Sequence, residues 1–322
     1  MTLAIKARNV NDAYPATIEA MSKASLVSTR NGLTLEYPEP VSVTFTHPRE
    51  RVLFSPVRNI NPWLHFFEPL YLLSGRKDVS YLSNLVKKFA DYSDDGETFN
   101  AAYGHRLRYP IDQIEGAIRR LRKDPQDRRT VLQIRVPRDM PYKGKDAACN
   151  IAMALKVREG RLNAHVFNRS NDLIWGGPAG GTNHPQFTTL QEYIAGRLGI
   201  GLGTYTVTTD CMHVYLNAQW EEQVNSHHGQ TDLYQSENVC PFPMMVEPDK
   251  FDHDLKRAFS HNNIGEASAS DFQSIWFQTV YHPMAQAFVA FKAKDDPIPF
   301  VINVKATDWR EYALRWLLLR NT

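Results

Sequence analysis

The segment Asn61–Ser74, reading NPWLHFFEPLYLLS, constrains the fold more than any other. Asn61 can cap a helix with its side-chain oxygen, and Pro62 suits the first turn, where a missing N–H costs nothing. Trp63, Phe66, Phe67, Leu70 and Tyr71 fall on one helical stripe, while Leu64 and Leu72 sit one turn either side of Glu68. A helix apolar nearly all round is buried. The fold must therefore enclose this helix, and Glu68 is carried into the interior with it. A carboxyl so placed either partners a buried cation or has a raised pKa, which suits a general acid or base near neutrality.

At 322 residues the chain has room for one large domain or two ordinary ones. The 43% hydrophobic content supplies a sizeable core, and 22% charged residues is ordinary for a soluble protein. A formal net charge of +2 gives no reason for wrapping nucleic acid or adhering to a membrane. Cys149, Cys211 and Cys240 are odd in number and widely spaced, so they form no disulfide framework, and without a CxxC pair there is no zinc signature. A reducing cytoplasm fits. Met1–Tyr14 lacks the apolar stretch of a signal peptide, and no run is long and apolar enough to span a bilayer.

No repeat, low-complexity run or linker divides the chain, so residues 1–322 read as one α+β body. The spacing predicts a helix from Pro110 to about Arg122, with Ile111, Ile114, Ile118 and Leu121 inward, stopped at Asp124–Pro125. Strands are expected over Thr130–Val136, Ile151–Val157 and Arg161–Phe167, the last two joined by a turn at Arg158–Gly160. A helix over Phe187–Leu198 follows, then a β-rich Gly203–Thr209 that leads into His213 and Tyr215. A strand around Phe300–Val304 and a helix from near Asp308 close the chain.

The chemical parts cluster late in this order. Cys149 stands at a strand entrance between two arginine units, Arg128–Arg129 and Arg169–Ser170–Asn171–Asp172. A solitary cysteine is more often a small buried hydrophobe than a nucleophile. Cationic neighbours reverse that reading, because they lower a thiol pKa and raise its thiolate fraction. Arginine also suits phosphate, to which its planar fork donates two parallel hydrogen bonds. Adjacent strand residues point opposite ways, so the Arg128–Arg129 doublet serves one phosphate only through an irregular turn or a second partner. His213 and Tyr215 alternate on a strand and face one way, which suits a sugar hydroxyl or a satisfied core pair equally. The glycine-rich run Gly176–Gly181 lacks the Lys-Ser/Thr ending of a nucleotide P-loop and reads as a flexible site loop.

These residues resemble thymidylate synthase and the pyrimidine-nucleotide hydroxymethylases. The resemblance rests on Phe66–Gly75 around Glu68, Tyr103–Arg108, Asp127–Arg128–Arg129–Thr130, Cys149–Asn150, Asn168–Asp172, Asn183 and His213–Val214–Tyr215, in matching order from about Arg30 to Asn217. The region from about 218 to 322 is divergent. Within the superfamily, Arg58–Pro62 and Asn168–Trp175 look most like a phage-associated branch linked to modified DNA bases, which would work in the host cytoplasm. The resemblance implies a mixed β-sheet flanked by helices and a homodimer through the backs of two sheets. It implies that Cys149 adds to C6 of a pyrimidine nucleoside monophosphate, and that C5 then takes the methylene of 5,10-methylenetetrahydrofolate. Glu68 and Tyr103 would handle protons, and Asp172 would meet the pterin. Arg30, Arg169 and Ser170 would hold the phosphate together with Arg128 and Arg129 of the partner subunit, which relieves the doublet problem. His213 and Tyr215 would bind the ribose and Asn183 the base edge. No metal, membrane or direct nucleic-acid partner is implied.

Departures from the synthase pattern bear on the product. Ala148 and Asn150 flank the nucleophile where synthases have Pro and His, and the loop before Asn183 is long. The aromatic that shields the methylene intermediate is replaced near Val86, with Phe89 as a substitute, and the sequence ends in LLLRNT without the short apolar closing tail. Excluding water lets the folate deliver hydride and yields a methyl group; admitting water yields a hydroxymethyl group. The expectation is hydroxymethylation. An amide at Asn183 complements uracil better than cytosine, favouring dUMP over dCMP. The competing readings are a true thymidylate synthase and a catalytically silent nucleotide- or RNA-binding homologue.

Overall fold

The computed structural model describes residues 2–177, 180–226, 231–236, 239–260 and 263–320. Its framework among these residues is one eight-stranded mixed sheet. The strands are β1 (Leu3–Ala7), β2 (Ser25–Thr29), β3 (Gly32–Glu36), β4 (Val41–Phe45), β5 (Val131–Gln133), β6 (Asn150–Arg158), β7 (Arg161–Asp172) and β8 (Gly201–Tyr215). The spatial order is β1-β4-β8-β7-β6-β5, with the β2–β3 hairpin attached to the far end of β8. The β1–β4 and β7–β8 pairs are parallel and the others antiparallel. Strand β8 is shared: its first half pairs with β4 and its last residues, His213 to Tyr215, with β3.

The expected hairpin is present. Glu159 and Gly160 take φ of 50° and 68°, the double left-handed turn that matches strand twist, and β6 pairs with β7 from Arg158↔Arg161 onward. Strand β7 runs to Asp172 rather than ending at Phe167, which lays Ser170 beside Cys211 and Asp172 beside His213. The strand expected over Thr130–Val136 is confined to Val131–Gln133. There the N–H groups of Ile134 and Arg135 both converge on the carbonyl of Ile151 at 3.0 Å, breaking the ladder before Pro137 turns the chain.

Helices α1 (Val10–Ala20), α2 (Pro62–Ser74), α3 (Val79–Leu85), α4 (Tyr103–Arg108), α5 (Gln113–Lys123) and α6 (Asn183–Leu198) fill the first two thirds of the chain. The expected central helix is α2, capped by Asn61 through the N–H groups of Trp63 and Leu64, with every residue from Pro62 to Leu73 buried. It packs on α6, which in turn lies on β7 and β8. Helix α5 begins later than expected because Asp112 caps it through Glu115 N–H. Ile111 therefore lies outside the helix and is 74% exposed, while Ile114, Ile118 and Leu121 point inward.

The last third adds α7 (Ala218–Ser226), α8 (Leu233–Ser236), α9 (Pro248–Ala258), α10 (His282–Ala293), α11 (Ile298–Val301) and α12 (Thr307–Leu318). The strand expected over Phe300–Val304 is instead the short helix α11 and its exit turn. Pro297 caps that helix and Pro299 lies in its first turn, both preset to helical φ, and Val301 and Val304 bury themselves at helical spacing. Side chains of this divergent region complete the enclosure of α2. Trp63 meets Phe288, Phe291 and Trp316, Phe66 stacks on Trp276 at 5.8 Å, and Phe67 meets Tyr281 edge-on. No described helix is long and apolar enough to cross a membrane.

Candidate active site

Strand pairing brings Cys149 and Arg169 together. The Arg169 N–H donates to the Cys149 carbonyl at 3.0 Å across the β6–β7 pair, and its guanidinium then folds back over the nucleophile segment. Nε donates to the carbonyl of Ala148 at 2.9 Å, and Nη2 reaches the carbonyl of Ala147 at 3.2 Å and the Cys149 sulfur at 3.4 Å. Arg135, which the sequence reading missed, donates to the same Ala148 carbonyl at 3.1 Å. The thiol is half-buried. The expectation of a depressed thiol pKa is not met: burial pushes it up, Arg169 and Arg135 oppose this, and the nearby charges of Asp146 and Asp172 add to it.

A cavity of about 210 Å³ reaches this segment at Asp146, with neither Cys149 nor Arg169 in its lining, and it gathers Glu68 from α2, Tyr103 from the start of α4, and Thr182, Asn183 and Gln186 around the start of α6. Close approach of α2 and α4 makes this possible, since a Cβ built on Gly104 would overlap the Leu72 carbonyl. Burial pushes the Glu68 carboxyl up to about 7, against the Gln186 amide beside it, and its Oε2 has no partner among the described residues. Tyr103 is also held above the usual phenol range, by burial and then by the Cys149 charge, with the Asn150 amide opposing. Phe89, the expected substitute for the aromatic replaced near Val86, stands in the cavity wall with Tyr92. Asp146 lines the same cavity and was not singled out from the sequence; its signal was a carboxylate three residues before the nucleophile. Gln186 had no such signal.

Behind the nucleophile, Asn150, Asn168 and Thr209 are register partners across β6, β7 and β8 and are all buried. Both amide atoms of Asn168 and the Thr209 hydroxyl lack partners among the described residues, while the Asn150 amide is turned toward the Tyr103 phenol. Unpaired buried polar groups are costly, and a row of them beside a nucleophile marks a place built for water or ligand.

Other expected residues fall around this centre in varied states. Ser170 and His213 face each other at 3.3 Å, and His213 lies edge-on to Tyr215 at 5.6 Å, so β7 and β8 present the three on one face. The Asp172 carboxylate accepts from the N–H groups of Ile174 and Trp175 at 2.8 and 3.3 Å, and burial raises its pKa. It thus orders the glycine loop as well as bordering the site. That loop is pinned rather than free where it is described: buried Arg58 donates to the carbonyls of Ile174 and Gly180, and Thr182 N–H donates to Trp175 at 2.8 Å. Pro178 and Ala179 lie outside the described residues, as do Asn321 and Thr322 at the chain end. His184 turns into the core against Phe45 and Tyr205 and does not reach the cavity. Arg30 occupies the exposed β2–β3 turn, and Arg128 and Arg129 are exposed before β5, where Arg129 Nε meets Asp127 at 3.4 Å. None of these three arginines is brought to Cys149 within the subunit by a recorded contact.

The family model for thymidylate synthase matches residues 50–247, a span that includes Glu68, Tyr103, Cys149, Arg169, Asn183 and His213. The chain belongs to the thymidylate synthase family. It is 35% identical to a deoxyuridylate hydroxymethyltransferase of Pseudomonas phage M6, over 97% of this chain and 93% of that protein. Proteins of the same description from Bacillus phage SP01 and Delftia phage PhiW-14 are 36% and 30% identical, over 63% and 58% of this chain and 56% and 54% of their own lengths. The chain is thus similar to one-carbon transferases of the phage branch over nearly its whole length.

Proposed function

We propose that this enzyme hydroxymethylates C5 of deoxyuridine monophosphate, with 5,10-methylenetetrahydrofolate supplying the carbon. The observation that carries the reading is the placement of the Cys149 sulfur under the Arg169 guanidinium, three residues after Asp146, which lines a cavity that also holds the Glu68 carboxyl, pushed up to about 7. Cys149 is the nucleophile toward C6, and Glu68 and Tyr103 relay protons at the pyrimidine carbonyl and C5. Arg169, Ser170 and Arg30 take the phosphate, joined by Arg128 and Arg129 of the partner subunit. His213 and Tyr215 take the sugar, Asn183 the uracil edge, and Asp172 the pterin. The aromatic wall of Phe89 and Tyr92 and the unpartnered Glu68 oxygen fit an aromatic, hydrogen-bonding co-substrate. The bound folate supplies a methylene group to C5. The polar part of the cavity lining, Glu68, Asp146, Thr182, Asn183 and Gln186, suits the water that a hydroxymethyl product requires.

We further infer that residues 1–322 act as one domain and pair through the uncovered sheet face. That face carries hydroxyl pairs Ser42–Thr208 and Thr44–Thr206, both at 2.9 Å, and exposes Val131 and the Phe167 ring stacked on His165. Pairing there gives exposed Arg128 and Arg129 a site to serve.

Incubation with C5-tritiated dUMP and methylenetetrahydrofolate tests the reaction. Tritium release with 5-hydroxymethyl product and no dihydrofolate is expected. Dihydrofolate forming in step with tritium would establish a synthase instead, and turnover of dCMP in preference to dUMP would overturn the base assignment.

A further inference from the structure

The geometry points to Asp146 as the base that receives a proton from the water adding to the C5 methylene group, an inference that rests on the hydroxymethylation reading. Asp146 lines the cavity that Glu68, Tyr103 and Asn183 share, and it lies three residues before the nucleophile. One carboxylate oxygen accepts the Ala101 N–H at 2.7 Å, and its backbone carbonyl accepts from Asn100 Nδ2 at 3.1 Å. The segment is therefore fixed to the entrance of α4, the element that also carries Tyr103. Its charge is felt at both the Cys149 thiol and the Tyr103 phenol, and it shares its cavity with Tyr103. Burial raises its pKa, the Ala101 N–H and Arg106 opposing, and a carboxylate so raised is a stronger base than one in water.

The step balances as follows. After tetrahydrofolate departs, the pyrimidine carries an exocyclic methylene on C5 and the Cys149 sulfur on C6. Water oxygen bonds to the methylene carbon, its proton passes to Asp146, and the C5=CH2 pair moves toward the C4 carbonyl as an enolate. The enolate reforms the C5=C6 double bond and expels Cys149 as thiolate. No oxidant or reductant is consumed. Glu68 acts before this step, when C5–H is lost, so the two carboxyls serve successive half-reactions.

The test separates those halves. In a single turnover with enzyme in excess, Asp146→Asn should release C5 tritium as wild type does, while 5-hydroxymethyl product falls about tenfold or more. With 2-mercaptoethanol present, the stranded methylene should be captured as a C5 thioether, and Asp146→Glu should recover hydroxymethyl product. Because product is read per tritium released, a partly unfolded variant does not distort the ratio. Hydroxymethyl product keeping pace with tritium in Asp146→Asn overturns the assignment, and so does tritium release falling as far as product. A wild type that makes thymidylate with dihydrofolate would sink the hydroxymethylation reading itself, a different failure from an unaffected Asp146→Asn.

Discussion

Replacing Glu68 with glutamine should stabilise the protein in a pH-dependent way. Burial moves the Glu68 carboxyl from its usual 4.5 to about 7 in the folded state. The unfolded chain therefore ionises Glu68 near 4.5 while the folded chain keeps its proton until about 7, so stability declines as pH rises between those values. The loss is complete above about 7, and at 1.36 kcal/mol per pKa unit it amounts to about 3 kcal/mol. Glu68→Gln has no charge to bury and lacks this slope. Its urea midpoint should nearly match wild type at pH 4.5 and exceed it clearly at pH 8, with unchanged denaturant sensitivity. Asp308, which burial also pushes up to about 7, is present in both proteins and cancels from the difference. The same variant should lose turnover, since an amide cannot relay protons. A constant gap between the two midpoints at pH 4.5 and pH 8 would refute the reasoning, because it would mean that Glu68 titrates alike in both states.

Cys149→Ser should fold normally, yet form no acid-stable adduct with dUMP and release no tritium from C5; equal exchange in wild type and variant would remove the covalent mechanism. An inactive Cys149→Ala protein mixed with an inactive Arg128→Ala/Arg129→Ala protein should regain activity after subunit exchange, since one mixed site then receives both an intact thiol and intact partner arginines. Failure to regain it in demonstrated heterodimers would place the doublet elsewhere. Arg106→Met should lower stability by about 3–5 kcal/mol in urea melts, because it strands Asp139, which Arg106 holds through two bonds of 2.6 and 2.9 Å in a buried pair.

How legible these features were in the sequence follows from how local their causes are. Helix α2 could be read outright: Asn61 and Pro62 are local start signals, and its apolar surround allows only burial. The β6–β7 hairpin was equally local, fixed by Glu159 and Gly160. The extension of β7 past Phe167 was hidden because its inward positions there are polar, with Asn168 and Asn171 buried where an apolar period would have been sought. Phe300–Val304 misled through β-branched composition, which two prolines and helical burial overrode. Resemblance supplied the roles of the site residues, whereas the Cys149–Arg169 contact depends on cross-strand pairing. Gln186 was illegible because a cavity is made by elements far apart in sequence, and Asp146 offered only its place three residues before Cys149, which does not by itself announce a cavity.

The two cavity carboxyls explain why a single site can run both halves of the reaction. Burial raises both, but their surroundings differ. Glu68 has only the Gln186 amide to favour its charged form, whereas Asp146 has the Ala101 N–H and the Arg106 charge. Glu68 is thus poised between states near neutrality, as a group must be that first gives and then takes protons through water. For Asp146 burial and the Asp94 and Asp139 charges raise the pKa while the Ala101 N–H and Arg106 oppose them, and a carboxylate so raised suits a group that only receives a proton. Environments that divide two like groups in this way assign acid and base roles without any change in residue type. The division also fixes how the variants must differ: losing Glu68 suppresses tritium release and product together, whereas losing Asp146 uncouples them. General damage to the fold would lower both signals in both proteins, so only the divided roles produce that contrast.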